Sequence, residues 1–319
     1  PVDTVYKGVK VHKCSSWTQG PVMLQALNLV GNFDLVKMGH NTAEYIHTVV
    51  ECMKLAYADR EFYYGDGDFV KVPFGKLLSK RYAAERARLV DVKRASMELR
   101  PGGKKAVRAE DILGVNAAFG TDGYDNDTTK LEVIDRAGNM VSATPSGGWL
   151  QSSPVVPGLG FPLGTRGQMF SLVEGHPNCI EPGKRPRSTL TPTLATRGGK
   201  GYMAFGSPGG DAQDQWALEF FLNVVEFGMS LQEAAEAPTF WSEHWPSSFY
   251  PRKAAPGVLQ IEERISAKVR RELSARGHKV KVAAAWGGGN THAASIDAVT
   301  GVRAAAASPR MEAAYAGAL

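Results

Sequence analysis

Between His40 and Asp66 the apolar residues fall at helical spacing. Ile46, Val49, Val50, Met53 and Tyr57 share one face, so the stretch "HNTAEYIHTVVECMKLAYADREFYYGD" predicts a helix packed on a core. Asn41, with Glu44 three residues on, has the form of a capping box and predicts the helix start. The segment "GDGDFVKVPFGKLL" is a turn-rich loop whose Asp66 and Asp68 could bind a cation or simply make a turn. A second, exposed helix is predicted in "SKRYAAERARLVD". Residues 95–127, polar and interrupted by Pro101-Gly102-Gly103, read as a surface connection.

From Thr128 the period changes from helical to two. Thr129, Leu131 and Val133 alternate with Lys130, Glu132 and Ile134; "DRAGN" turns the chain and "MVSATP" returns it, which predicts a β-hairpin. Residues 146–192 are rich in Gly, Pro and Ser with little periodicity, and loops of that length are usually functional or disordered. "KGYMAFGSPGGDAQDQWALEFFLNVVEFG" reads as strand, glycine turn and helix, with Trp216, Phe220, Val224 and Phe227 on one face. "EERISAKVRRELSARGH" is an amphipathic helix, "KVKVAA" a strand, and "THAASIDAVTGVRAAAAS" a second hairpin turning at Thr300-Gly301. No internal repeat is present. Strands and helices in layers with mostly antiparallel pairing predict an α+β fold. A length of 319 residues suits one large domain or two intimate ones.

Composition narrows the function classes. Hydrophobic residues make up 43% and charged residues 22%, as in ordinary globular proteins. The net charge of +5 is thin and dispersed, the pattern of solvated helix surface and not of a nucleic-acid footprint. Cys14, Cys52 and Cys179 are odd in number and far apart, without metal spacing, and read as buried or free thiols. No apolar run reaches the ~18 residues of a membrane span. The chain begins at Pro1 with neither an initiator Met nor a signal peptide, as if an upstream part were missing; a cytoplasmic setting is favoured over a periplasmic one.

Candidate chemistry centres on "DNDTTKLEVIDRAGNMVSATP". A threonine hydroxyl is a weak nucleophile without a base. Cleavage of Asp127–Thr128 would give Thr128 a free α-amine, whose ordinary pKa of about 7.7–8.0 leaves a useful neutral fraction near pH 7. That is the N-terminal-threonine variant of nucleophile–base catalysis. The same hydroxyl could make the cut by attacking the preceding carbonyl. "GSPGG" (206–210), after a strand and opening a helix, offers backbone N–H groups to an oxyanion or forms a tight turn. Ser207, followed by Pro208, does not fit a nucleophile elbow. His292 either lines a site or is an ordinary core or surface histidine.

These segments together resemble the γ-glutamyltranspeptidase family of N-terminal-nucleophile hydrolases. "YADREFYYGDGDFVKVP" is similar to the end of the family's large chain, and "DTTKLEVIDRAGNMVSAT" to its cleavage site and the start of its small chain. "PGKRPRSTLTPTL" and "GSPGG" resemble its two pocket segments, and "ASPR" a pattern near its C-terminus. The resemblance implies a four-layer αββα sandwich. Residues 1–127 would be the C-terminal part of the large chain and 128–319 the small chain, intertwined in one domain after self-cleavage at Asp127–Thr128. It implies Thr128 as nucleophile, Ser146 as the hydroxyl that orients it, and Gly209 and Gly210 as oxyanion donors. Ser188 and Thr189 would touch the substrate carboxylate. No metal or organic cofactor is implied.

The departures from the family pattern bear on substrate. Where γ-glutamyl-binding members carry "QMDD", this chain has Gln168-Met169-Phe170-Ser171, and Phe170 cannot pair with a substrate ammonium. Gly148 stands where an asparagine is often found. The stretches "SATPSGGWLQSSPVVPGLGF" and "GSPGGDAQDQW" resemble a branch that includes oxamate amidohydrolase, which releases ammonia from oxamate to give oxalate. Phe170 and Trp149 would shrink the pocket, and Arg166 or Arg187 would hold a carboxylate unless each serves in a surface or structural ion pair. The expected partners are a small amide substrate and the paired large and small chains, further dimerised, with no nucleic acid or membrane. The rival readings are γ-glutamyl transfer or hydrolysis, a cephalosporin-acylase-like activity, and an uncut, inactive homologue that binds a small molecule.

Overall fold

The computed structural model describes residues 1–112, 114–117, 128–148, 153–310 and 314–317. Asp127 and Trp149 lie outside the described residues.

Lys7 and Gly8, both at left-handed φ (45° and 77°), turn a tight hairpin between β1 (Val2–Tyr6) and β2 (Val9–Lys13). Two further strands, β3 (Leu131–Ile134) and β4 (Met140–Ala143), form the hairpin expected after Thr128. Then follow β5 (Thr193–Arg197), β6 (Lys200–Gly206), β7 (Phe240–Ser242), β8 (Val258–Glu262), β9 (Lys279–Ala283), β10 (His292–Ile296) and β11 (Arg303–Ala307). A six-stranded antiparallel sheet runs β1-β2-β5-β6-β10-β11. It mixes strands from before and after the Asp127–Thr128 bond. A smaller sheet runs β7-β8-β9.

The principal helices are α1 (Pro21–Val30), α2 (Ala43–Tyr63), α3 (Lys80–Ala87), α4 (Gln213–Val225), α5 (Leu231–Glu236) and α6 (Ala267–Ala275). Phe205 of β6 meets Phe220 and Phe221 of α4 at ring distances of 5.7 and 5.8 Å, so this face of the large sheet carries the helical layer. The next residue, Gly206, faces the other way and is covered by Lys130 of the β3–β4 hairpin. Helices, sheet and second-sheet hairpin are thus stacked in that order.

One local expectation is corrected. The helix α2 is capped by Thr42, whose hydroxyl accepts from the Tyr45 N–H; Asn41 instead sits at φ 53° and donates its amide to the Pro238 carbonyl. An asparagine tolerates the left-handed region and leaves the cap to the extended residue after it. The structure assigns the two faces of the hairpin. Lys130 and Glu132 point inward as a buried ion pair, while Leu131, Val133 and Val141 are about half exposed on the outward face. Among the described residues no helix is long and apolar enough to cross a membrane.

Candidate active site

The register of β3 and β4 decides where the first hydroxyls meet. Leu131 pairs with Ala143, and the ladder continues through Thr129 N–H to the Pro145 carbonyl (3.0 Å). One step further, Thr128 lies across from Ser146, and Thr128 Oγ1 is 2.7 Å from Ser146 Oγ. Thr128 is 9% exposed and Ser146 is partly buried. After Ser146 the chain turns away at Gly147 and Gly148, both at left-handed φ (71° and 73°). A Cβ on Gly147 would come within 2.6 Å of Thr165 Oγ1 and 3.1 Å of Arg166 Nη2. That bare backbone lets Arg166 donate from Nη2 to Ser146 Oγ. The guanidinium also lies 5.8 Å from the centre of the Phe249 ring.

Lys130, two residues past Thr128 on the same side of its strand, ties the hairpin to the glycine turn. Its ammonium contacts Glu132, Ser142 Oγ and the Ala143 carbonyl. Its stem packs where a Cβ on Gly206 would be 2.4 Å from Lys130 Cε, so only glycine fits at the end of β6. His292 sits opposite Gly206 in the sheet, with Nδ1 3.2 Å from the Lys130 carbonyl oxygen. Burial lifts the Glu132 carboxyl to about 7 against the pull of Lys130, and burial likewise lowers the lysine from its ordinary value.

The glycine turn follows. Ser207 is buried and spends its hydroxyl on the Pro208 carbonyl (2.8 Å). Gly209 adopts φ 120° and a Cβ there would lie 2.2 Å from the Trp216 ring; Gly210 adopts φ 51°. The turn is held from its carbonyl side. Gln19 Nε2 donates to the Gly210 carbonyl (3.3 Å) and Tyr57 OH to that of Asp211 (2.7 Å). The Asp211 carboxylate accepts from Ser248 N and Oγ (2.7 Å each) and from fully buried Arg60, whose Nη1 also reaches Gln19 Oε1 (2.9 Å). Gln19, Tyr57 and Arg60 were missed in the sequence. Their bonds to the turn span 151 residues or more, and nothing local marks them.

Ser188 and Thr189 are placed by backbone bonds to the first segment: Ser188 N donates to Trp17 O and Gln19 N to Ser188 O, each 2.8 Å. Gln19 therefore links this segment to the glycine turn. Ser188 Oγ accepts from Leu190 N (3.1 Å). Thr189 is 1% exposed, and its Oγ1 has no hydrogen-bond partner among the described residues. Upstream, Arg185 clasps both Asp66 and Asp68, so the acidic turn is an anchor for this segment. These bonds hold the Asp66 carboxyl down at about 2.

Arg187 corrects an expectation. It does not offer a carboxylate grip: its guanidinium is buried, donates to the Arg60 carbonyl (2.9 Å) and faces Glu61 at 3.5 Å. Burial favours pushing the Glu61 carboxyl up, but Arg252, His176 and Arg187 outweigh it and hold it well below its usual range. Phe170 is half-buried just after the turn Thr165–Met169. Its neighbour Ser171 donates its N–H to the backbone carbonyl of Asn178, whose side-chain Oδ1 accepts from the Arg187 N–H. A buried group of His47, Glu51 and His278 lies outside this assembly. Its Glu51 carboxylate already accepts from Lys54, Arg100 and Ser96, which leaves it poorly suited to a metal ion.

The γ-glutamyltranspeptidase family model matches residues 1–318. The chain belongs to the γ-glutamyltranspeptidase family. It is 32% identical over 301 residues to the glutathione hydrolase proenzyme of Escherichia coli (strain K12), covering 90% of this chain and 47% of that protein. It is 33% identical over 264 residues to the Acylase ACY 1 proenzyme of Pseudomonas sp. (strain SE83), covering 82% and 42%. Among solved structures, LmbA2991HD superposes with a TM-score of 0.89 at 47% identity, over 99% of this chain and 55% of that one. The cephalosporin acylase from Bacillus halodurans gives 0.80 at 29% identity, over 100% and 53%. The chain spans about half the length of the curated relatives it matches. Its α+β architecture is that of the N-terminal-nucleophile hydrolases of this γ-glutamyltranspeptidase and acylase group.

Proposed function

We propose that this γ-glutamyltranspeptidase-family chain is part of an autoprocessing N-terminal-threonine amidohydrolase acting on a small, carboxylate-bearing amide such as oxamate. The observation that carries the reading is the Thr128–Ser146 hydroxyl pair at 2.7 Å, set at the head of the hairpin whose Lys130 packs on the glycine turn. Cleavage of Asp127–Thr128 gives Thr128 its α-amine. Thr128 Oγ1 attacks the amide carbon as its proton passes to that amine. The oxyanion is held by the N–H groups of Gly209 and Gly210. The intermediate collapses with loss of ammonia, which takes the proton, and leaves an ester on Thr128. Water, activated by the same amine, opens the ester and releases the acid.

Substrate size and charge follow from what surrounds these groups. Thr189 Oγ1, buried with no partner among the described residues, supports a carboxylate-binding role alongside Ser188. Phe170 in place of a carboxylate argues against a substrate ammonium, whose unpaired charge would be costly to bury. The likeness to glutathione hydrolase and acylase proenzymes favours a second reading, γ-glutamyl or other acyl hydrolysis by the same Thr128 mechanism.

The test is Thr128→Ala, assayed with oxamate and with γ-glutamyl-p-nitroanilide. Loss of both chain cleavage and turnover is expected. Wild-type turnover of oxamate alone supports the first substrate class, and turnover of the anilide alone the second. A Thr128→Ala protein that still turned over either substrate would overthrow the mechanism.

A further inference from the structure

Arg166 is engaged next to the candidate nucleophile. Its Nη2 donates to Ser146 Oγ at 2.5 Å, and that oxygen is 2.7 Å from Thr128 Oγ1. Guanidinium groups have donors and no acceptor, so the sense of the first bond is fixed: Ser146 accepts. A hydroxyl has one proton and two lone pairs. Accepting from a cation weakens Ser146 Oγ as an acceptor and strengthens its own O–H as a donor. The favoured arrangement runs in one direction, from Arg166 to Ser146 to Thr128.

This direction matters because the Thr128 hydroxyl has two ways to use its proton. Were it to donate to Ser146, the proton would be tied up away from the α-amine that must take it. With Ser146 donating, Thr128 Oγ1 accepts at one lone pair and its proton is free to pass to its own amine. We propose that Arg166 is a positioning residue that sets the proton direction in the Thr128–Ser146 pair, in place of the carboxylate grip its type and location suggest. The local backbone is built for it: Gly147, at φ 71°, leaves the space a side chain would take 3.1 Å from Arg166 Nη2. The inference rests on Thr128 being the nucleophile and adds a residue that acts through Ser146.

The experiment compares three reactions of Arg166→Met and Arg166→Lys in the full chain. They are self-cleavage, which needs no added substrate, hydrolysis of oxamate, which carries a carboxylate, and hydrolysis of p-nitrophenyl acetate, which does not. Arg166→Met, with an apolar stem of similar reach, should slow both hydrolyses by a common factor, on the order of tenfold to a hundredfold per cut chain; self-cleavage, in which Thr128 has no free amine yet, is followed to count the cut chains. KM for oxamate should stay within about twofold, and Arg166→Lys should recover part of the rate, since it restores a charged donor. In a Ser146→Ala background, Arg166→Met should add no further loss, because the residue through which it acts is gone. A tenfold or larger rise in the KM for oxamate, with ester hydrolysis and self-cleavage intact, would instead establish the carboxylate grip and overturn the inference. So would losses that add independently with Ser146→Ala, the sign of a merely structural role. Turnover retained by Thr128→Ala would bring down the underlying nucleophile reading as well. Turnover lost by Thr128→Ala, with additive losses at Arg166 and Ser146, would bring down the inference alone.

Discussion

At the scale of single residues, the proposed site turns on two hydroxyls, those of Thr128 and Ser146, 2.7 Å apart. Ser146 touches Thr128 because the hairpin register puts them across from each other, so the contact survives any substitution that keeps a hydroxyl there. Ser146→Thr should keep activity near the wild-type level, while Ser146→Ala should lower kcat on the order of tenfold to a hundredfold with little change in KM; steady-state kinetics with oxamate or the anilide would check both. Legibility in the sequence follows the same logic. Thr128 and the glycine turn 206–210 stood out as candidates from local signals, whereas Ser146 and the Gly209–Gly210 pair entered only through the family resemblance. Arg187 was open between an anion grip and a structural ion pair, and only the fold, by placing Glu61 and the Arg60 carbonyl around it, decides for the ion pair. Gln19 was invisible: a glutamine before an apolar helix carries no mark of the two segments it joins.

At the scale of elements, two segments are held by charges from a distant part of the chain. Arg60, on α2, pairs with Asp211 behind the glycine turn, both in a dry interior. Removing one partner of a buried pair strands the other, so Arg60→Ala should cost on the order of 3–5 kcal/mol in denaturant unfolding, with lost activity even at low denaturant. Gly209→Ala should lower both stability and turnover, since a methyl there meets the Trp216 ring and the φ of 120° is foreign to alanine; denaturant unfolding and an activity assay would check the two. The Asp66–Arg185 clasp predicts a pH effect. Asp66 has an ordinary value of 3.8 and is held at about 2 by hydrogen bonds from Arg185. Its stabilisation is therefore full above about pH 4 and is lost as pH falls through about 2. Asp66→Asn should be less stable than wild type at pH 5, and the difference should shrink toward pH 2; urea titrations at the two pH values would measure it. The long helix and both hairpins were legible because their periodicity runs over many residues. The start of α2 was missed because Asn41 and Thr42 are both good cap residues, and only the left-handed φ of Asn41 decides between them.

At the scale of the whole molecule, the sheet order joins what a cut would separate. β2 pairs along its length with β5, and α1 and α2 share a core with α4. Cutting one peptide bond leaves those contacts in place, so fragments 1–127 and 128–319 should co-elute on a sizing column in native buffer and separate only in denaturant. The layered architecture was legible as a class from alternating strand and helix signals. The sheet order was not, because partners such as β2 and β5 lie about 180 residues apart and strand pairing at that distance leaves no local trace.

The central claim, that Thr128 is a maturation site and a nucleophile, is most directly tested by intact mass spectrometry of freshly purified protein through a time course at neutral pH. The account predicts one mass giving way to two, one of them starting at Thr128, with amide-hydrolysing activity rising in step and neither change in Thr128→Ala. A single uncut mass that persists while the protein hydrolyses amides, or cleavage that proceeds unaltered in Thr128→Ala, would contradict it.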